Sequence, residues 1–189
     1  MAYDADQAAV AYGEFHLAFA ALDTELRRAL VVLDRPADFT AEFSRTKLWP
    51  FGKRVGELRK RMSTIQRGIF REKVAAILAA LVTAEKVAGW RNERIHGEVW
   101  FVENRIALLG DDGKPLTIDL TDCAEMRRRA IFALSAIQVN VSRIVGELNL
   151  EDRRSEHQNR ADQAAKEERE QTSAQKPASN IVYPKFNGH

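Results

Sequence analysis

Apolar residues recur at steps of three and four positions in four stretches of the chain, which is the spacing of amphipathic helices. The stretches cover about residues 4–34, 51–65, 70–96 and 122–150. Their stripes are Phe15, Phe19, Leu22, Leu26, Leu30 and Leu33; Val55, Leu58, Met62 and Ile65; Val74, Ile77, Leu78, Leu81, Ala84 and Ala88; and Met126, Ala130, Leu134, Ile137, Val141, Ile144 and Leu148. Pro36 ends the first helix, Pro50 precedes the second, and residues 39–49 are ambiguous. The pattern predicts an all-α fold, an antiparallel bundle of three to four long helices.

The period of the pattern changes after Gly97. Residues 99–102 and 106–109 are rich in β-prone side chains, the segment 110–113 is a turn signal, and Leu116, Ile118 and Leu120 alternate with polar residues. We therefore expect a small β-hairpin insertion at about residues 98–120.

The C-terminal part of the chain lacks the residues that build a core. Residues 151–180 contain no Val, Ile, Leu, Met or aromatic residue, so burial cannot offset the entropy of ordering them. We expect a helical domain at residues 1–150, followed by a polar tail at 151–189 that is either a solvated helix extension or disordered.

Composition and charge narrow the class of protein. The chain is 45% hydrophobic and 30% charged with a formal net charge of +2, as in an ordinary globular protein. The N-terminal residues lack the basic region and the apolar region that make up an export signal. The longest apolar run, 74–82, is too short to span a bilayer. A single cysteine, Cys123, fits a reducing compartment. We expect a cytoplasmic protein with no membrane partner.

Basic residues are concentrated in two places. Residues 53–73 contain eight lysines and arginines against two glutamates, and Arg127, Arg128 and Arg129 are consecutive. Such clusters can contact phosphates, and they can equally be solvated helix faces. Both interpretations stay open at this point.

The end of the third predicted helix breaks its own pattern. Continuing the apolar stripe from Ala84 and Ala88 leads to Arg91 and Asn92, where polar groups occupy a face that periodicity reserves for burial. Such local rule-breaking is commonest at functional sites. His96 follows Asn92 by four residues, about 40° round the helix, and a helix C-terminus favours a protonated imidazole. We expect a cleft here.

These residue types suit phosphodiester cleavage without a metal ion. An imidazole exchanges protons, an arginine holds a phosphate, and an amide fixes the geometry. Arg91 and His96 are about 140° apart on an ideal helix, so they converge only through the long arginine side chain or through a second copy of the site. The alternative is a polar helix end in which His96 caps carbonyls and Arg91 pairs with Glu85, Glu93 or Glu98.

The segment Arg91-Asn92-x-x-x-His96-Gly97 resembles the signature of the HEPN domains, in which an arginine is followed by a polar residue and a histidine closes the motif. The resemblance implies a helical homodimer with a shared cleft and a metal-independent endoribonuclease of the toxin–antitoxin or phage-defence kind. It implies that Arg91 binds the scissile phosphate, Asn92 orients it and His96 moves the proton. The attacking group is then the RNA 2′-hydroxyl, which leaves a 2′,3′-cyclic phosphate.

The resemblance also leaves alternatives open. Some HEPN-like domains only bind RNA, a nucleotide or a partner protein, so a non-catalytic module is the second hypothesis. In one subgroup a tyrosine two positions after the histidine is modified by an antitoxin, and the residue at this position here is Glu98. An antitoxin or regulatory protein remains an expected class of partner. Trp90 and Trp100 are either base-stacking residues or core, and His16 has no evident chemical partner. No residue spacing indicates a metal or a cofactor.

Overall fold

The computed structural model describes the backbone of residues 5–65, 68–95, 98–102, 105–109, 115–117 and 120–174, and the side chains of residues 7, 9–65, 68–94 and 120–167. The chain is predominantly helical, as predicted. The five α-helices in this part of the chain are α1 (Ala5–Asp34), α2 (Phe39–Thr46), α3 (Phe51–Thr64), α4 (Arg71–Ile95) and α5 (Leu120–Ala174), and a single 3₁₀ turn, Gly68–Phe70, precedes α4.

Three short strands lie between α4 and α5: β1 (Glu98–Val102), β2 (Arg105–Leu109) and β3 (Pro115–Thr117). They form a sheet of order β1-β2-β3 in which both neighbouring pairs are antiparallel. The first pair is in register from Glu98 opposite Leu109 to Val102 opposite Arg105, and the second places Leu109 opposite Pro115.

Local sequence sets the helix ends around the ambiguous segment. Helix α1 stops at Asp34, Arg35 adopts a left-handed backbone with φ of 46°, and Pro36 cannot continue the helix. Asp38 then caps α2 by accepting a hydrogen bond from the Ala41 amide at 3.0 Å. The segment that periodicity left undecided is therefore a short capped helix.

Each long helix contributes the face that its apolar spacing predicts. Among the buried residues are Phe15, Phe19, Leu22, Leu26 and Leu30 of α1; Val55, Leu58 and Met62 of α3; Ile77, Leu81, Ala84 and Ala88 of α4; and Cys123, Ala130, Ile137, Val141 and Ile144 of α5. These buried faces form the core of the compact unit Met1–Gly146.

The helix directions differ from the antiparallel prediction in one respect. Asp23 on α1 pairs with Arg54 on α3, and Asp34 further along α1 pairs at 2.6 Å with Arg61 further along α3. These two helices therefore run parallel, because α2 carries the chain back between them. Helix α4 runs opposite to α3, as the pairing of Glu85 with Arg59 and the contact of its later residues with the start of α3 indicate.

Arg54 is the central polar residue of this arrangement. Its side chain is only 7% exposed. The guanidinium forms an ion pair with Asp23 and donates hydrogen bonds to the carbonyls of Thr46 and Lys47 at 3.2 and 3.0 Å. One buried group thus connects α1, the α2–α3 link and α3.

The second compact unit, Glu147–His189, contains the C-terminal part of α5. Helix continues to Ala174, and the described side chains from 152 to 167 are exposed. Hydrogen bonds between residues four apart, Gln158 with Asp162 and Gln163 with Glu167, stabilise this part of the helix. This is the solvated helix extension of the two alternatives; residues 175–189 lie outside the described part of the chain.

By length and composition alone, α5 is long and apolar enough to cross a membrane. One 18-residue window within Leu120–Glu167 has a mean hydropathy of 1.3, and 22% of that window is buried. Core helices of soluble proteins meet the same criterion, and Ala130, Ile137 and Val141 of this helix are core residues.

Replacing Arg54 with Met should destabilise the protein by about 2–4 kcal/mol, because Asp23 and two carbonyls lose their donor in a low-dielectric setting. Urea denaturation measures the change. The matched control is Arg59→Met, which removes an exposed ion pair with Glu85 and should cost no more than about 0.5 kcal/mol. Equal losses in the two variants would contradict the central role of Arg54.

Candidate active site

A groove of about 430 Å³ lies where α1, α3 and the C-terminal half of α4 meet. Its lining residues are Phe19, Asp23, Phe51, Gly52, Arg54, Glu85, Ala88, Gly89, Arg91 and Asn92. Two of the three predicted site residues, Arg91 and Asn92, are therefore in one groove. The third, His96, lies outside the described residues, directly after the last described residue of α4.

Arg91 is held by an aromatic ring and not by a carboxylate. Its guanidinium carbon lies 4.9 Å from the centroid of the buried Phe19 ring, and its Nη1 donates to the side-chain oxygen of Asn92 at 3.2 Å. Its Nε is buried and has no hydrogen-bond partner. No ion pair joins Arg91 to a carboxylate among the side chains that the structure describes. The ring positions the guanidinium and leaves its charge available.

The acidic residues of the groove are already engaged by other arginines. Asp23 is paired with Arg54, and Glu85 accepts from Arg59 at 2.8 Å. Glu85 is therefore the partner of Arg59 and not of Arg91, while the side chain of Glu98, another expected partner of Arg91, lies outside the described residues. Glu93 also contacts a different arginine, Arg94, at 3.5 Å. What remains uncompensated in the described lining is one positive charge, which favours an anionic ligand.

The face that carries Asn92 is open, although the apolar periodicity of the helix assigns this face to packing. Asn92 is exposed and Arg91 is half-buried. The reason is that Gly52 and Gly89 contribute no side chains to the groove; a Cβ added at either position would meet nothing within 4 Å. The missing side chains leave the space that periodicity assigns to packing.

Trp90 is a packing residue and does not present a free face. Its ring lies edge-on to Phe15 with centroids 4.8 Å apart, and the guanidinium carbon of Arg94 lies 4.0 Å from its centroid. Arg94 also donates to the Trp90 carbonyl at 3.2 Å. Of the two readings of Trp90, core packing agrees with these contacts; the side chain of Trp100 lies outside the described residues.

The two basic clusters carry less available charge than the sequence indicates. In the first, Arg54, Arg59 and Arg61 are each paired with acidic residues. In the second, Arg127 pairs with Glu14, and both Arg128 and Arg129 pair with Glu125. Most of these arginines therefore connect helices or stabilise a helix turn, which is the solvated-face interpretation.

Sequence reasoning missed the polar residues that α1 brings to the same region. Tyr12 and His16 pack edge-on with ring centroids 4.5 Å apart. Burial, and then the positive charge of Arg91, lower the pKa of His16 below its ordinary value. Burial raises the pKa of the Tyr12 hydroxyl, an effect that Arg91 opposes and Cys123 reinforces. The available signal was the four-residue spacing that places both side chains on the face of α1 that includes Phe19.

Within the described residues, no group of three or more histidine, cysteine, aspartate or glutamate side chains has the arrangement of a metal site. Comparison with protein-family models, with curated proteins and with solved structures finds no match for this chain. The resemblance to HEPN domains therefore rests on the sequence motif alone.

Inorganic phosphate should bind at Arg91, and NMR titration should show a shift of the Arg91 Nε–H signal that Gly89→Leu weakens by filling the groove. The smaller change Gly89→Ala provides the control. A Cβ at this position meets nothing within 4 Å, and replacing a glycine within a helix by alanine should stabilise the protein by about 0.5–1 kcal/mol. An unchanged phosphate shift in Gly89→Leu would mean that the groove is not the anion site.

Proposed function

We propose that the protein is a HEPN-like, metal-independent endoribonuclease that acts as a homodimer in the cytoplasm. The observation that carries the proposal is the uncompensated guanidinium of Arg91, held on the Phe19 ring in an open groove and hydrogen-bonded to Asn92, which precedes His96 by four residues. Arg91 and Asn92 are the first two residues of the motif Arg91-Asn92-x-x-x-His96.

Each residue has a chemical role in this proposal. Arg91 binds the scissile phosphate with two hydrogen bonds and stabilises the charge that develops on its oxygens. Asn92 restrains the guanidinium through its side-chain oxygen and leaves its amide nitrogen to donate to the substrate. His96 exchanges a proton with the sugar oxygens at the reacting phosphorus, and the 2′-hydroxyl of RNA is the attacking group.

The homodimer is part of the proposal because of helix geometry. Arg91 and His96 diverge by about 140° on an ideal helix, so a second copy of α4 would complement each site. The chain also exposes apolar side chains on α5, namely Ile131, Phe132 and Val139. Exposed apolar surface of this kind is commonly buried by association. The other class of partner that we propose for this apolar surface is an antitoxin or regulatory protein.

A non-catalytic nucleotide-binding module is the second candidate function, and the distribution of charge favours it over a general RNA-binding surface. Because six of the eleven basic residues in the two clusters pair with carboxylates, the charge that these clusters offer to a long phosphate backbone is reduced. A single free guanidinium in a confined groove suits one phosphate group. Binding of a mononucleotide without RNA cleavage distinguishes this candidate.

Arg91→Gln and His96→Ala should each reduce RNA cleavage by at least about 100-fold, since each removes a group that acts on the reacting phosphate. Gel analysis of a defined RNA measures the loss, with His157→Ala as the control for a histidine on the exposed helix extension. Cleavage should persist in EDTA and should fail on a substrate with a 2′-deoxyribose at the cut position. Equal activity of wild type and both variants would remove the nuclease proposal.

Mixing the two inactive chains should restore part of the activity if the site combines Arg91 of one copy with His96 of the other. Co-expression of differently tagged Arg91→Gln and His96→Ala chains gives a mixed dimer with one intact site, whereas either variant alone has none. Tandem affinity purification followed by the cleavage assay measures this. A stable mixed dimer with no activity would show that both residues act within one copy.

A further inference from the structure

His16 lies on the stripe of α1 that leads into the groove. Tyr12, His16, Phe19 and Asp23 follow one another at steps of four, three and four residues, which places them on one helix face. Phe19 and Asp23 line the groove, and Phe19 supports the guanidinium of Arg91. His16 is not itself a lining residue, but it lies about one turn of α1 before Phe19 on the same helix face.

The imidazole ring of His16 is fixed by aromatic packing and not by hydrogen bonds. It lies edge-on to Tyr12 at 4.5 Å and to Phe15 at 5.4 Å between ring centroids. The side chain is half-buried, so part of the ring faces solvent. Within the described residues, neither ring nitrogen has a hydrogen-bond partner. The nitrogens are thus free to exchange protons with a ligand in the groove.

The charged groups around His16 favour its neutral form. Arg91 and Arg94 of α4 are cationic neighbours of this region, Tyr12 is on the same helix, and Cys123 of α5 packs against Tyr12. Further along the stripe, Asp23 is neutralised by Arg54 of α3. Burial and the charge of Arg91 both lower the pKa of His16, so its imidazole is a proton acceptor at neutral pH.

We propose that His16 is the general base of the site, complementing His96 as the general acid; this deepens the proposed nuclease function and rests on it. The imidazole nitrogen of His16 takes the proton of the RNA 2′-hydroxyl as that oxygen forms a bond to phosphorus. The bond from phosphorus to the 5′-oxygen of the next nucleotide breaks, and the leaving oxygen takes the proton of the His96 imidazolium. The products are a 2′,3′-cyclic phosphate and a 5′-hydroxyl.

The division of labour follows from the two environments. His96 follows a helix whose C-terminal carbonyls favour the imidazolium, whereas His16 is in the middle of a helix and beside an arginine. In this proposal the His96 imidazolium donates a proton and the neutral His16 imidazole accepts one, and such a pair of protonation states is what acid–base catalysis at one pH requires.

The test compares His16→Gln with His157→Gln, a substitution on the exposed helix extension. His16→Gln should lower the rate of RNA cleavage about 100-fold without raising KM, and the pH–rate profile should lose its acidic limb, which reports protonation of the base. Thermal unfolding checks that the variant is folded, and Tyr12→Phe, which keeps the packing against His16, should retain the limb.

A second measurement does not depend on activity. NMR titration of ring-labelled histidine should show that Arg91→Gln raises the pKa of His16, because removing the neighbouring cation favours the imidazolium. Inorganic phosphate, by neutralising Arg91, should raise it in the same direction. A His16 pKa that responds to neither change overturns the assignment.

The outcomes separate this inference from the function on which it rests. If wild type cleaves RNA and His16→Gln cleaves equally well with both limbs of its pH profile, only the role of His16 falls. A lower rate with an unchanged profile shows a purely structural role and overturns it too. A wild-type chain that does not cleave RNA removes the nuclease function and the general base together.

Discussion

The buried guanidinium of Arg54 is the interaction on which the arrangement of the helices depends. It neutralises Asp23 on α1 and donates to the carbonyls of Thr46, the last residue of α2, and Lys47, so the parallel orientation of α1 and α3 is fixed at one point. The two charges must stay in contact, because an unpaired arginine or aspartate in the same position is strongly destabilising. The groove is a consequence, since its walls are the segments that Arg54 holds together.

Within that frame, the treatment of charge differs from one arginine to the next. Arg54, Arg59 and Arg61 form ion pairs with carboxylates. They therefore stabilise helix contacts, and little of their charge is available to a ligand. Arg91 rests on the ring of Phe19, which itself stacks on Phe51 at 5.0 Å. An aromatic ring orients a guanidinium through its face without neutralising it. Among the described residues that line the groove, Arg91 therefore carries a positive charge without a carboxylate partner, whereas the charges of Asp23, Arg54 and Glu85 are paired.

The open space around that charge has an equally simple origin. Two glycines, Gly52 and Gly89, face the groove on α3 and α4 and contribute no side chain to it. The stripe of α1 adds His16 and Tyr12 at the adjacent end. Titratable groups, an uncompensated guanidinium and a confined volume thus lie together, a combination that is typical of sites for an anionic ligand.

Sequence by itself determined the helical class of the fold, the extents of α1, α3 and α4 to within one or two residues, and the choice of Arg91 and Asn92 as groove residues. These follow from local rules: apolar spacing, proline and capping positions, and polar residues on an apolar stripe. Only the tertiary structure decided that α1 and α3 are parallel, that six arginines of the two basic clusters pair with carboxylates, and that His16 feels the charge of Arg91. Such properties depend on partners far apart in the chain, such as Arg54 and Asp23 or His16 and Arg91, and periodicity within one helix carries no information about which side chain of another helix will face it.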